Sequence, residues 1–482
     1  MKRFLFILFI SFSLLFYTSC DDDDSIEEIP KEVLNQDIEN FIWAGLNFFY
    51  LWQDDVPDLS DQRFTSQEEL NNYLKDYSDP ESLFDNLLYS GDKYSWIVDD
   101  YIALEKELGQ GISGSNGVEF NLVYESGSDT DVFGSVRYII AGSDASTKNI
   151  KRGDIFHAVN GTPLTANNFG DLLFGSNDSY TLNLADYNNG NLIDNGVSVL
   201  LTKSELQENP IHVVTTVDEI GKKIGYIMYN KFTNAFDSEL NDAFATLKAA
   251  GVTDLVLDLR YNSGGSVNTA IYLSGMITGQ FTGELFTKER WNSKWLDYLT
   301  ENNPDYLESF FVEKMDNGEI LNSLNLDNVV VLTTGRSASA SELIINGLNP
   351  YINVTTIGTT TEGKSVGSIT IYDSESYGKE GVNPDHTYAM QPIVLEIVNK
   401  LGENDNDGFD PTIVNPENYG NMGILGDPSE PLFARAIQFI STGSKSSLSK
   451  SKVIQHIYLS DSKKESLTGS NMYIDKSLPL LK

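Results

Sequence analysis

The chain has 482 residues, 40% of them apolar, which is enough for two or three domains with real cores. Its 70 acidic and 33 basic side chains leave a formal net charge of −37, which argues against nucleic acid and anionic membrane surfaces as partners. A single cysteine excludes an internal disulfide and a cysteine metal cluster, and neither metal nor cofactor is expected.

Lys2 and Arg3 precede an apolar run over 4–16, followed by Tyr17-Thr18-Ser19-Cys20. This pattern predicts a signal peptide over 1–19, too short to be a membrane span. Cys20, directly behind it, resembles the lipidation site of a bacterial lipoprotein. Asp21 to Asp24 resemble the surface-export signal of Bacteroidetes-type lipoproteins, and are equally well read as a solvated tether. The expectation is an acidic tether over 20–32 and a lipid on Cys20 that anchors the chain to a membrane. Such a chain would be an outer-membrane lipoprotein facing the cell surface or the periplasm.

Residues 33–100 are rich in Leu, Phe, Tyr and Trp at helical spacing. Ile38, Phe41, Ile42 and Leu46 share a helix face, and Pro57 and Pro80 break the region into short helices. Trp43 and Trp52 are expected in the core. Residues 101–205 switch to short strands, at 120–124, 136–140, 155–159 and 197–201, separated by Gly, Asn, Asp and Ser turns. The run 150–161 resembles the PDZ pattern of a Gly-Asp turn, a strand and an Asn-Gly turn. That resemblance implies that Gly117, Val118, Glu119 and Phe120 form a loop whose N–H groups hold a peptide C-terminus while the peptide adds as a strand. A small β-domain that merely packs is the plainer reading of the same residues.

From about 206 to 441 strands alternate with helices. Strands are expected at 224–229, 255–259, 329–332 and 354–357, with a helix through Leu240, Phe244 and Leu247. Such alternation predicts an α/β core with parallel strands. Residues 442–482 turn rich in Ser and Lys and are expected to be a mobile tail.

The chemistry concentrates in two segments. Gly335-Arg336-Ser337-Ala338-Ser339-Ala340-Ser341-Glu342 follows the strand 329–332 and enters a helix over 343–348; Glu362-Gly363-Lys364-Ser365 lies on a neighbouring loop. A serine at a strand-to-helix turn sits beside backbone N–H groups that stabilise an oxyanion. A lysine kept neutral by burial serves as its general base. Any of Ser337, Ser339 and Ser341 also suits a cap or turn. These segments, with Asp258-Leu259-Arg260-Tyr261-Asn262-Ser263-Gly264-Gly265 upstream, resemble the C-terminal processing (tail-specific) peptidases of family S41, over about residues 33–440. The resemblance implies a ClpP/crotonase-like spiral core with an inserted PDZ-like β-domain. It implies Ser339 as nucleophile, Lys364 as base, and Ala340 with the Gly264-Gly265 turn as oxyanion hole. It also implies a serine endopeptidase cutting proteins or peptides near their C-termini. The family often carries Gln four residues after the lysine; here Ser368 stands there, and an inactive peptide-binding lipoprotein of the same fold is the alternative.

Three other motifs compete. Residues 358–365 match GxxxxGK[ST], but a β-branched run follows where a phosphate-binding helix is needed, so nucleotide is not an expected partner. His386 is the histidine considered for a Ser-His-Asp triad. Residues 403–408 begin like a calcium loop, but Val414 stands at position twelve in place of Glu.

Overall fold

The computed structural model describes residues 31–445, 454–464, 468–469 and 471–475. The expected signal peptide, Cys20 and most of the tether lie outside the described residues. α1 (Lys31–Phe49) places Ile38, Phe41, Ile42, Leu46 and Phe49 at three- and four-residue intervals, and all five are buried. α2 (Gln67–Leu74) and α3 (Pro80–Asn86) are short helices capped by Ser66 and Asp79, with Pro80 at the first helical position. Trp43 and Trp52 are only half-buried: the Trp43 Nε1–H donates to the Asp58 carbonyl at 2.8 Å, so its polar edge stays at the rim. These helices share one apolar core with the α/β part, where Phe49 packs on Trp295 at 5.2 Å between ring centroids.

α4 (Tyr101–Gln110) leads into an antiparallel sheet. Its strands are β1 (Val118–Tyr124), β2 (Val132–Ile139), β3 (Ile155–Val159), β4 (Ser179–Asn188) and β5 (Asn191–Thr202), in sequential order. Phe120, Phe156, Leu182 and Leu201 fill its own small core.

The α/β region begins with β6 (Ile211–Glu219) and β7 (Lys222–Tyr229), followed by α5 (Asp237–Ala249), β8 (Asp254–Asp258), β9 (Gly264–Ser266) and α6 (Val267–Ile277). After β10 (Leu285–Trp291) and β11 (Glu308–Phe310) come β12 (Asn328–Thr333), α7 (Ala340–Leu348), β13 (Asn353–Gly358), β14 (Val366–Ser368), β15 (Ile393–Asn399), β16 (Ile413–Val414) and α8 (Pro431–Thr442). The strands β7, β8, β12, β13 and β16 run parallel in that order, with β6 antiparallel on the edge. The Val, Ile and Leu runs of β7, β8 and β12 are buried, as a sheet covered on both faces requires. α6 is buried at every position but Asn268, because it runs through the core rather than over it. The expected α/β class with its helical N-terminal region is what is observed.

The expectation fails at the tail. Residues described beyond 445 form two strands, β17 (Tyr458–Asp461) and β18 (Asn471–Tyr473). β17 adds antiparallel to the open edge of β1. β18 lies between β9 and β14, parallel to both. A polar, Ser- and Lys-rich composition predicted mobility because it cannot bury much apolar area. These strands are held instead by main-chain ladders and one buried ion group, in which Asp461 Oδ2 sits 3.2 Å from Arg137 Nη1 and 2.6 Å from Arg336 Nε.

Candidate active site

β12 delivers the chain to a tight loop, and α7 leaves it at Ala340. The two outer serines of the motif are structural. Ser337 Oγ donates to the Leu259 carbonyl and Ser341 Oγ to the Asn262 carbonyl, both at 2.8 Å. Ser339 is different. Its φ is +63°, a conformation non-glycine residues rarely adopt, and its Oγ is buried with no hydrogen-bond partner among the described residues. Backbone strain and an orphaned hydroxyl coincide at the one serine that precedes a helix N-terminus.

Lys364 follows β13 on a turn that β14 continues as a strand, so the GxxxxGK[ST] segment has no phosphate-binding helix. The N–H groups of Gly363 and Lys364 already hold an anion, the carboxylate of Glu342: Gly363 donates to Oε1 at 2.7 Å and Lys364 to Oε2 at 2.8 Å. The Thr361 hydroxyl adds a bond to Oε1 at 2.6 Å, and the Ser339 N–H one to Oε2 at 2.8 Å. Burial pushes the Glu342 carboxyl up, and these four donors pull it back. One buried carboxylate thus fastens the Ser339 loop to the Lys364 turn. Lys364 is 1% exposed, with its Nζ 4.5 Å from the centre of the Tyr94 ring. Burial pushes its amine down to about 7, while Asp92, Glu362 and Glu342 favour the charged form.

The glycine turn docks against the same loop. The Ala338 N–H donates to the Asn262 carbonyl at 3.2 Å. Gly265 has φ +135°, and a Cβ there would stand 2.1 Å from the Phe232 carbonyl oxygen, so only glycine fits. The Gly264 N–H is committed to Asn262 Oδ1 at 2.9 Å, which leaves Gly265 as the member of the pair able to serve an oxyanion. Beneath the turn, fully buried Arg260 joins Asp258 and Glu430, and Arg152 from the β-domain joins Tyr261 and Glu417.

Ser339 and Lys364 line one cavity together with Glu342, Leu343, Asn346, Ile397 and Phe409. Asn404 and Asp405 line it too, so the acidic 403–408 run packs against the base turn: a Cβ at Gly408 would meet the Thr361 carbonyl oxygen at 2.2 Å. Among the described residues no cluster of His, Cys, Asp and Glu is placed to hold a metal. His386 pairs with Asp373 Oδ2 at 2.9 Å beside Tyr388 and does not line the cavity, which removes it as a triad member. Sequence reasoning missed Glu342, Tyr94 and Asn262. Glu342 alone had a signal, as the acid three residues into a helix that starts at a serine. Ser368, where glutamine was expected, donates to Gln391 Oε1 at 2.7 Å, so a glutamine reaches that position from another strand.

The expected carboxylate loop is not an open cradle. The Gly117 N–H donates to Ser115 Oγ and the Val118 N–H to Asn116 Oδ1, both at 3.0 Å. The Phe120 N–H is taken at 3.0 Å by Ser462 Oγ of the tail, and the Glu119 carboxyl is buried and pushed up to about 7. The loop closes on itself through these side-chain acceptors, a step its glycine-containing sequence did not reveal.

Two family descriptions match the chain: "Peptidase family S41" over residues 223–382 and "Peptidase S41 N-terminal domain" over 37–96. The chain is 24% identical over 362 residues to carboxyl-terminal-processing peptidase 1, chloroplastic, of Arabidopsis thaliana, covering 71% of this chain and 66% of that protein. It is 25% identical over 338 residues to the C-terminal processing peptidase, chloroplastic, of Tetradesmus obliquus, covering 67% of each. The chain therefore spans about two thirds of the length of these relatives. A solved S41 protease structure from Bacteroides fragilis shares the fold, with a TM-score of 0.65 and 24% identity over 84% of this chain and 97% of that one.

Proposed function

We propose that the chain is a serine peptidase of family S41, an endopeptidase using Ser339 as nucleophile and Lys364 as general base. The observation that carries this reading is the shared cavity of an orphaned, strained serine and a buried lysine pushed down to about 7. The neutral amine takes the Ser339 proton as Oγ attacks a peptide carbonyl, and the N–H groups of Ala340 and Gly265 receive the oxyanion. The ammonium then protonates the leaving amine, and the freed amine activates water to hydrolyse the acyl-enzyme. Glu342 positions both partners through backbone bonds. Substrates are proteins or peptides, presented as strands along the β1 edge and cut near their C-termini. Cys20 carries a lipid that anchors the chain to the outer membrane, facing the cell surface or the periplasm.

The test is labelling by a fluorophosphonate together with hydrolysis of a peptide library. The wild-type chain reacts and cleaves, Ser339→Ala does neither, and Lys364→Arg is inactive because guanidinium does not give up its proton in this range. Near-wild-type turnover by Lys364→Arg would refute the base assignment. Equal cleavage of free and amidated C-termini would remove the chain-end preference. Unchanged membrane fractionation of Cys20→Ala would remove the anchor.

A further inference from the structure

The tail occupies both places where the reading above puts a substrate. We infer that residues 458–464 and 471–475 are a ligand, in cis, of the chain's own β1 edge and catalytic cleft. The molecule they stand in for is an extended peptide that offers a Met-like, unbranched apolar side chain beside Ser339. The inference rests on the proposed function for its chemistry, though not for its geometry.

The first limb is β17. Tyr458 faces Val123, Ser460 faces Leu122 and Asp461 faces Asn121, so the strand runs antiparallel to β1 toward the 117–120 loop. The Ser462 N–H then donates to the Phe120 carbonyl at 3.0 Å. This is strand addition, and it uses the edge that an outside peptide would need. The second limb is β18. Gly264, Gly265 and Ser266 face Asn471, Met472 and Tyr473. On its other side the Ile474 N–H donates to the Ser368 carbonyl at 3.1 Å, and the Met472 carbonyl accepts from Ser368 Oγ at 3.3 Å. Main-chain groups of successive residues face opposite edges, so if Met472 and Ile474 turn toward β14, Asn471 turns its carbonyl toward Gly265. A carbonyl of the tail therefore faces the proposed oxyanion donor. Met472 lines the cavity of Ser339 and Lys364, whose apolar wall is Leu343, Ile397 and Phe409.

Arg336 links the limbs. It lies three residues before Ser339, contacts Asp461 and donates through Nη2 to the Gly469 carbonyl at 2.7 Å. The nucleophile loop thus touches the tail at two points. The second limb is a short strand held by main-chain bonds that any extended peptide can make, and the first adds to its ladder the buried ion group of Asp461. The tail's advantage is that it is tethered, which raises its effective concentration. An outside peptide competes by displacing it.

The test reads binding first. A fluorescein-labelled peptide with the sequence of residues 468–475 is titrated onto Ser339→Ala protein in three forms: the full chain, the full chain with Met472→Asp, and a chain ended at residue 464. Ending at 464 keeps Asp461 with its two arginines. Met472→Asp puts a charge in an apolar cavity while keeping every other residue, in case the shortened chain folds poorly. Both opened forms are expected to bind at least about tenfold more tightly than the full chain. Equal binding by all three, or no binding by either opened form, overturns the inference. Peptide hydrolysis is then measured with Ser339 restored. Hydrolysis that rises in the opened forms supports the inference. Hydrolysis by the full chain as fast as by the opened forms overturns it while leaving the peptidase reading intact. Tight peptide binding without hydrolysis in any form upholds the tail assignment and overturns the peptidase reading.

Discussion

At Lys364 a cation is replaced by a neutral amine because the site is dry. The folded value of about 7 lies below the ordinary 10.5, so the folded chain holds fewer protons than the unfolded chain between those two values. Stability therefore rises with pH across that window, and below it the full cost of a buried ammonium is present. Catalysis depends on the same group in the same sense: turnover should climb as pH rises through about 7, as the amine loses its proton. Lys364→Met should abolish turnover and stabilise the fold at about pH 6, by up to roughly 5 kcal/mol. That gain should shrink as pH approaches 10.5. Thermal melts of both proteins over this range check the sign. A Lys364→Met chain less stable than wild type at about pH 6 would contradict the burial argument.

Among elements, β17 is held by charge rather than by apolar area. Asp461 is fully buried between Arg137 and Arg336, which hold its carboxyl well below the usual range. Asp461→Asn leaves two buried guanidiniums without their carboxylate and should cost about 3–5 kcal/mol, read from denaturant unfolding. It should also expose β1 to hydrogen exchange before the rest of its sheet. The same element shows where the sequence was legible and where it was not. Strands with β-branched runs, such as 155–159 and 328–333, were readable because burial on both faces writes itself into composition. Ser339, Lys364 and the glycine turn were readable because their chemistry needs those residue types. β17 and β18 were not, because strand addition uses main-chain groups and leaves no side-chain pattern. Tyr94 over Lys364 was equally invisible, since the two stand 270 positions apart and only the fold brings them into contact.

Across the whole molecule the β-domain is joined to the core by carboxylates. Glu417 is pushed down to about 2 by Arg152 and Arg260, against the cost of its burial, and it also accepts the Tyr261 hydroxyl at 2.5 Å. A carboxyl whose folded value is depressed contributes stability that is fully present above its unfolded value and is lost as pH falls through the folded one. The junction should therefore hold above about pH 4.5 and loosen progressively toward pH 2. Melting by circular dichroism should show the midpoint falling across that interval, and Glu417→Gln should flatten the fall. A midpoint insensitive to pH there would show that apolar packing alone joins the two parts.

Glu342 is, in effect, a resident guest in a receptor made by its own chain. Cutting it back to alanine leaves the hosts in place: two backbone donors on the base turn, the Thr361 hydroxyl and the N–H of Ser339. The nearest free equivalent of the missing group is acetate. Added in the millimolar range, acetate should restore part of the turnover lost in Glu342→Ala, saturably, and chloride of equal ionic strength should not. An enzyme whose rate can be titrated by a two-carbon acid would show that its nucleophile and base are held in register by a single removable anion.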